Sequence, residues 1–466
     1  MKNTLIFTVG SFGSKFLAYF LTLLYNSFIS PEEMSLVEII RDSGNALIPA
    51  AFFCASEAIL RFGLDKKEKK DEVFTAAVVI TFCGMTLLAV LSPLFNLLDN
   101  FIEGHGFMLY VFIFTSCFRQ NCQQAVRAKN QLRLFALDGI LATLTLLIFN
   151  LLFIAVFRMG TIGYFISLIL SDLCSILFLT YMADLGRLLH LEKINFRLVK
   201  RMLAYSLPLV PSMIMWWITS ASDKFFVKGM LGDAANGVYS FAYRIPSLVA
   251  MVTTIFQQAW QISAITELKE NGVSRFYGRV YSIYQSVMFM AGAGIIMLCV
   301  PLTNILAGNA FPEYKDAYVY IPILTIATVF SCFATFLSSI YAATKKSLNS
   351  MWTSIAGAVT NIILNFLLIP KIGVQGAAIA TLASYLLCYL LRLADTRKAV
   401  RFKVNHVKAA ANVAALSAMS AAVIFGAKPL WLWLAAGFVL VTILNLGEFA
   451  ATIRAFLRRG DLTKLV

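Results

Sequence analysis

Lys15, Arg41 and Arg244 interrupt long apolar runs. An ionised group at the centre of a membrane helix costs about 2.5–3.5 kcal/mol on insertion scales, so such groups face a polar interior and mark a function. Arg offers a planar fork and Lys a compact charge, and both suit a phosphate. Arg41 and Arg244 lie about eight residues in from one end of their runs, roughly 12 Å deep at 1.5 Å per residue. These three cations are the candidate anion-binding groups. Arg41 has Asp42 beside it and Glu38 one turn back, so a local ion pair is its alternative reading. Arg61 sits nearer the opposite end of the same run, where it either lines the interior or snorkels to the interface.

Four acids share these runs. Asp42, Glu57, Asp172 and Asp223 are the candidate coupling or gating groups, compatible with proton or sodium coupling. Glu57 has Arg61 at i+4, and Asp223 is followed at once by Lys224, so both also read as structural pairs. Asp172 stands alone in the middle of its run, with a polar helix–helix contact as the competing role. Gln257, Gln258 and Trp260 crowd one end of another run, near Trp216 and Trp217. Amides and indoles suit sugar hydroxyls and faces, and they equally suit an interfacial belt.

No enzymatic constellation accompanies them. His105, His190 and His406 fall in separate loops, no Walker motif is present, and no loop is long enough to house a catalytic domain. The eight cysteines fall inside apolar segments with no C-x-x-C pair, which excludes a metal or disulfide framework.

The elements that must hold these residues are helices in a bilayer. Hydrophobic residues make up 59% of the 466-residue chain and charged ones 14%, with a mean hydropathy of +0.78. A soluble domain carries nearer a quarter charged residues. Apolar runs of about twenty residues, the length that spans a bilayer, fall at 3–28, 34–62, 73–97, 107–127, 134–157, 161–183, 203–227, 236–262, 280–306, 318–342, 350–369, 374–394, 408–425 and 430–452. The expected fold is an all-α polytopic membrane protein with about fourteen transmembrane helices. The net charge of +15 does not indicate nucleic acid. Most Lys and Arg occupy alternate loops and both terminal tails, while only Arg158, Lys228, Lys315, Lys371 and Lys428 fall on the other side. This positive-inside bias places both termini in the cytoplasm, and the basic loops also meet anionic lipid heads.

The spans read as six plus six plus two. Glu38-Ile39-Ile40-Arg41 aligns with Phe241-Ala242-Tyr243-Arg244 at an offset of 203, and Gly160-x-x-Gly163 with Gly373-x-x-Gly376 at an offset of 213. Both halves begin on one side, so the repeat is parallel, and transporters of this build place substrate between the halves. The expected organisation is a first bundle at 1–183, a cytoplasmic linker at 184–202, a second bundle at 203–394, a cytoplasmic loop at 395–407, an accessory pair at 408–452 facing lipid, and a basic tail at 453–466. Pro49, Pro208, Pro211, Pro246 and Pro322 predict kinks.

Ser222-Asp223-Lys224-Phe225-Phe226, Gly237-Val238-Tyr239-Ser240-Phe241-Ala242-Tyr243-Arg244-Ile245-Pro246 and, more sharply, Ile369-Pro370-Lys371-Ile372-Gly373-Val374-Gln375-Gly376-Ala377-Ala378-Ile379-Ala380-Thr381 resemble the polysaccharide-biosynthesis branch of the multidrug/oligosaccharidyl-lipid/polysaccharide (MOP) exporter superfamily, the Wzx-type oligosaccharide flippases. The first half departs from that signature after Gly163, where Tyr164 to Ser167 replace the small-residue tail. In the family these glycines, Gly160, Gly163, Gly373 and Gly376 here, let helices pack closely. The resemblance implies two six-helix bundles in a V shape with two accessory helices. It implies a non-enzymatic flippase that carries an undecaprenyl-pyrophosphate-linked oligosaccharide between leaflets of the bacterial plasma membrane by alternating access, for capsule, exopolysaccharide or O-antigen. Implied partners are that lipid, membrane lipids, and a polysaccharide polymerase and chain-length regulator. No cofactor or metal is implied. The alternatives are a lipid II flippase for peptidoglycan, a cation-coupled multidrug antiporter, and a membrane scaffold without transport.

Overall fold

A computed structural model of the chain describes residues 21–65, 68–93, 99–190, 192, 194–266, 273–344 and 347–459. Every regular element among them is helical: α1 (21–28), α2 (Pro31–Ala51), α3 (Ala55–Gly63), α4 (Lys70–Val90), the single turn α5 (Asp99–Ile102), α6 (Gly106–Ala128), α7 (Leu132–Asn150), α8 (Gly160–Met182), α9 (Phe196–Ser206), α10 (Leu209–Leu231), α11 (Asp233–Arg244), α12 (Ser247–Thr266), α13 (Val273–Met297), α14 (Cys299–Ala307), α15 (Ile321–Thr344), α16 (Ser347–Ile372), α17 (Val374–Ala399), α18 (His406–Ile424) and α19 (Leu430–Arg459). Among the described residues nine helices are long and apolar enough to cross a bilayer, or eleven when two bent pairs each count as one span. The chain is a multi-pass membrane protein, and the described residues do not confirm the count of fourteen. Most of the first expected run lies outside the described residues, and the runs around Arg41 and Arg244 are each broken into two helices.

The chain divides into two compact units, Met1–Ala221 with Gly308–Phe311, and Ser222–Ala307 with Pro312–Val466. The division falls inside α10 rather than in the polar 184–202 segment. In the first unit α8 packs on α6 and α7, and α6 on α2, α3 and α4. Polar side chains join these helices where hydrocarbon offers no partner. Asn121 on α6 donates to Thr81 on α4 at 2.7 Å, Gln123 on α6 donates to Asp138 on α7 at 2.8 Å, and Ser175 on α8 donates to the same carboxylate.

The first unit also contains a sharp break. α2 and α3 meet at 52°, with Phe53 and Cys54 both in the left-handed region at φ 52°. Pro49 has no amide to donate, and the break falls a turn beyond it. A Cβ on Gly84 of α4 would lie 1.9 Å from the Ala51 carbonyl oxygen. Only glycine permits that approach.

In the second unit α17 packs on both α15 and α16, and α15 on α12 and α13. The accessory helices α18 and α19 pack on each other, with α19 also on α13 and α18 on α15. They are not held by apolar contact alone. Lys408 on α18 pairs with Glu448 on α19 at 2.6 Å, Ser282 of α13 donates to Glu448 at 3.3 Å, and Asn445 donates to Asn412 at 2.7 Å.

The two glycine pairs hold matching places. Gly160 (φ 52°) and Gly373 (φ 62°) each stand in the left-handed region just before or at the start of a helix. Gly163 and Gly376 follow three residues later. A Cβ on Gly163 would lie 3.0 Å from the Phe153 carbonyl oxygen, and one on Gly376 would lie 2.6 Å from the Leu368 carbonyl carbon. Gly373 itself has nothing within reach of a Cβ. Its role is conformational, and the packing role expected of it belongs to Gly376 alone. A Cβ on Gly160 would meet the Glu33 carboxylate at 2.5 Å.

Candidate functional site

Each charged candidate is set by its own unit. In the first, Ser30 caps α2 by a reciprocal capping box with Glu33, which fixes the helix start. Arg41 then falls in the third turn. Its guanidinium binds Glu38 at 2.5 Å; Glu38 is 2% exposed and Arg41 36% exposed. The local ion pair is therefore formed, and Arg41 is not an uncompensated cation. A guanidinium carries five donors, so the pair leaves donors on an accessible side chain. Asp42, one residue on, is buried.

Asp172 on α8 is not alone. Arg119 on α6 reaches it at 2.7 Å and Ser116 donates to it at 2.8 Å. The base comes from a helix far away in sequence, which the local pattern could not reveal. The expected i+4 pair of Glu57 with Arg61 is absent; no ion pair joins them. Glu57 is half-buried in the first turn of α3, and Arg61 is exposed in its last turn. Lys15 lies outside the described residues.

In the second unit Arg244 is the last residue of α11. Pro246 follows, and Ser247 Oγ returns to the Arg244 carbonyl at 2.6 Å. The half-buried side chain thus leaves from the negative end of a helix dipole, a favourable place for a cation. Asp223 lies on α10 in a dense polar cluster. Tyr239 donates to its Oδ2 at 2.5 Å, Thr381 donates to the same oxygen at 3.0 Å, and the Lys224 amide donates to Oδ1 at 3.1 Å. Next door, Ser222 and Asn365 both donate to Asn361 Oδ1 at 2.9 Å. Asn361 Nδ2 and Asn365 Oδ1 are buried with no hydrogen-bond partner among the described residues.

This cluster draws together the three sequence segments that stood out: Ser222 and Asp223 from the first, Tyr239 from the second, and Thr381 from the small-residue signature. Asn361 and Asn365 were missed. Their signal was available, since two amides four apart share one face of an otherwise apolar helix.

The amide and aromatic candidates separate. Gln257 is buried, with both amide atoms lacking hydrogen bonds, so a ligand hydroxyl would suit it. The Gln258 side chain lies outside the described residues. Trp260 is neither sugar-facing nor in a belt. It is 2% exposed, stacks on Phe336 at 4.9 Å and donates to Ser339 at 2.7 Å, so it belongs to the aromatic core.

Among the described residues no His, Cys, Asp or Glu cluster is arranged to hold a metal. Arg392, unsuspected from sequence, is buried on α17 and donates to Thr353, Ser354 and the Ala334 carbonyl at 2.8–3.1 Å.

The family model described as polysaccharide biosynthesis protein matches residues 51–316. The probable flippase AglR of Haloferax volcanii is 28% identical over 196 residues, 40% of this chain and 38% of AglR, so the match spans well under half of that relative. Among solved structures, the lipid II flippase MurJ in an inward closed conformation has a TM-score of 0.73 at 15% identity, covering 97% of this chain and all of MurJ. An inward-facing multidrug resistance MATE family transporter of the MOP superfamily has a TM-score of 0.68 at 18% identity, covering 82% and 93%. A MOP superfamily transporter from Pyrococcus furiosus, described as having a binding pocket of reverse polarity, has a TM-score of 0.62 at 16% identity, covering 85% and 95%. At these identities the structures speak to fold. The family match spans more than half of the sequence, and the chain belongs to the polysaccharide biosynthesis protein family, with the fold of the MOP exporter superfamily.

Proposed function

We propose that this chain is a flippase that moves a polyprenyl-pyrophosphate-linked oligosaccharide from the inner to the outer leaflet of a bacterial plasma membrane, for surface polysaccharide. The observation that carries this reading is Arg244, a guanidinium at the end of α11 that interrupts the apolar run at 236–262 of the sequence, together with membership in this family. A diphosphate head cannot cross about 30 Å of hydrocarbon bare. It needs cations along a polar path, and Arg244, Arg41 beside Glu38, Lys15 and Arg61 are the proposed contacts, with Gln257 meeting sugar. Polysaccharide polymerase and chain-length regulator remain proposed partners.

Of the acids, Asp223 is the proposed coupling group. Its own carboxylate and the Tyr239 and Thr381 hydroxyls, with the Asn361–Asn365 amides joined to the adjacent Ser222, are hard oxygen donors that suit a proton or sodium ion. A cation bound there would supply the energy of its gradient, and Asp223, Asn361, Asn365 and Thr381 would hold it. Asp172, already matched by Arg119, is the weaker candidate, and Glu57 and Asp42 are proposed as gating groups.

In a strain lacking the protein, leaflet accessibility of the lipid-linked repeat unit tests the assignment. Repeat units reaching the outer leaflet at the normal rate would refute it. A second reading, lipid II transport, draws on the full-length likeness to MurJ. Loss of surface polysaccharide with intact peptidoglycan separates the two. A multidrug antiporter for cationic drugs would favour acids over Arg and Lys in these spans.

A further inference from the structure

α9 is clamped to the first unit by one face and leaves the other unmatched. Asn195 caps it by accepting from the Leu198 amide at 3.1 Å. Leu198, Met202 and Ser206 are buried, and the helix packs on α3 and α4. Arg201 pairs with Glu68 at 2.7 Å and covers the Phe62 ring at 5.4 Å. Tyr205 meets the same ring edge-on at 6.0 Å, and Asn195 donates to Glu72 at 2.8 Å. These contacts hold α9 in a fixed orientation.

The face turned outward carries Phe196, 74% exposed, and Leu207, 45% exposed, with Arg197 and Lys200 also exposed. At 3.6 residues per turn Phe196 and Leu207 lie about 20° apart around the axis, with Lys200 next to them and Arg197 beyond. Neither Arg197 nor Lys200 forms an ion pair with a described residue. Apolar and basic strips side by side on one helix are the pattern of a segment lying at the headgroup boundary. Three residues after α9 ends, α10 begins, and 196–231 together make one of the two bent pairs that are apolar enough to count as a membrane span, so α9 cannot stand far from the bilayer surface. The charge bias of the loops puts it on the cytoplasmic side, where anionic lipids give a negative surface potential.

We propose that α9 is a recognition element for anionic phospholipid, in which Arg197 and Lys200 contact lipid phosphates and Phe196 enters the headgroup–acyl boundary. It rests on this helix alone and stands or falls apart from the transport reading. Because Arg201 and Tyr205 are spent on α3, the outward strip is presented rigidly, and lipid binding there steadies the α3–α4 corner.

The test uses the purified full-length protein in neutral detergent, titrated with phosphatidylglycerol or phosphatidylcholine, with retained lipid read by native mass spectrometry. The Arg197→Gln/Lys200→Gln double variant is compared with Lys69→Gln/Arg187→Gln, which removes two exposed cations already paired with Glu72 and Asp184. The α9 double variant is expected to weaken phosphatidylglycerol binding about thirtyfold, from one surface-charge contact at each of the two residues, and the control variant by less than twofold. Phe196→Ser, which leaves the charges in place, is expected to weaken it severalfold. Equal phosphatidylglycerol binding by wild type and the α9 variants overturns the proposal. So does equal loss in the control, and so does displacement of the lipid by inorganic pyrophosphate at matched concentration, which would mark a phosphate site rather than a lipid one.

Discussion

Removing the Arg41 side chain takes a 2.5 Å guanidinium contact from the Glu38 carboxylate, which is buried at 2% exposure. A buried charge that loses its partner costs about 1–3 kcal/mol or more. Arg41→Ala is therefore expected to lower thermal stability in detergent, and Arg41→Ala/Glu38→Gln to restore most of it, while transport stays impaired in both. That split separates anion binding from a structural pair. Thr381→Val removes one of three donors to Asp223 and is expected to shift the dependence of transport on the cation gradient more than it shifts expression. Initial rates in vesicles with imposed sodium or proton gradients read this directly. The charged intrusions themselves were legible in the sequence, because a charge in an apolar run stands out. Their partners were not. Thr381 lies 158 residues from Asp223 and Arg119 lies 53 from Asp172, and no local spacing encodes such meetings. Trp260 misled for a related reason: an indole beside glutamines looks the same in sequence whether it faces a sugar or an aromatic core.

At the scale of elements, the glycine pairs make opposite demands. Gly376→Ala puts a Cβ against the Leu368 backbone, where overpacking costs about 1–3 kcal/mol. Gly373→Ala meets no neighbour and costs only the strain of its positive-φ backbone (φ 62°, ψ −144°), about 1–3 kcal/mol. The first is expected to depress folded yield the more, as measured by fluorescence-detected size-exclusion chromatography. Gly84→Ala is expected to behave like Gly376→Ala, since the Ala51 carbonyl of the broken α2 occupies its Cβ position. The 213-residue offset of the glycine pairs was visible beforehand because a repeated turn needs the same residue twice. The α2 break was foreseen only as a kink near Pro49. Its placement at Phe53 and Cys54 depends on Gly84 from another helix. The accessory pair was expected to face lipid, and the meeting of Lys408 with Glu448 could not be read in advance, because it requires both helices to be placed.

For the molecule as a whole, helical class, multi-pass character and superfamily were carried by composition and by three short segments, since hydrocarbon leaves the backbone few choices. The span count was less legible, because a break inside an apolar run, as between α2 and α3, does not show in composition, and a run such as 107–127 reads as a span although α6 carries the polar stretch Arg119 to Gln124. Full-length protein is reconstituted into liposomes with a labelled polyprenyl-pyrophosphate oligosaccharide, and the rate at which the sugar becomes accessible on the opposite leaflet is followed for wild type and for Arg244→Ala at equal incorporation. The wild type is predicted to move the lipid well above empty liposomes, and Arg244→Ala to slow it by about tenfold or more, the loss expected for a charge-assisted contact. Transfer by Arg244→Ala at the wild-type rate would contradict the account.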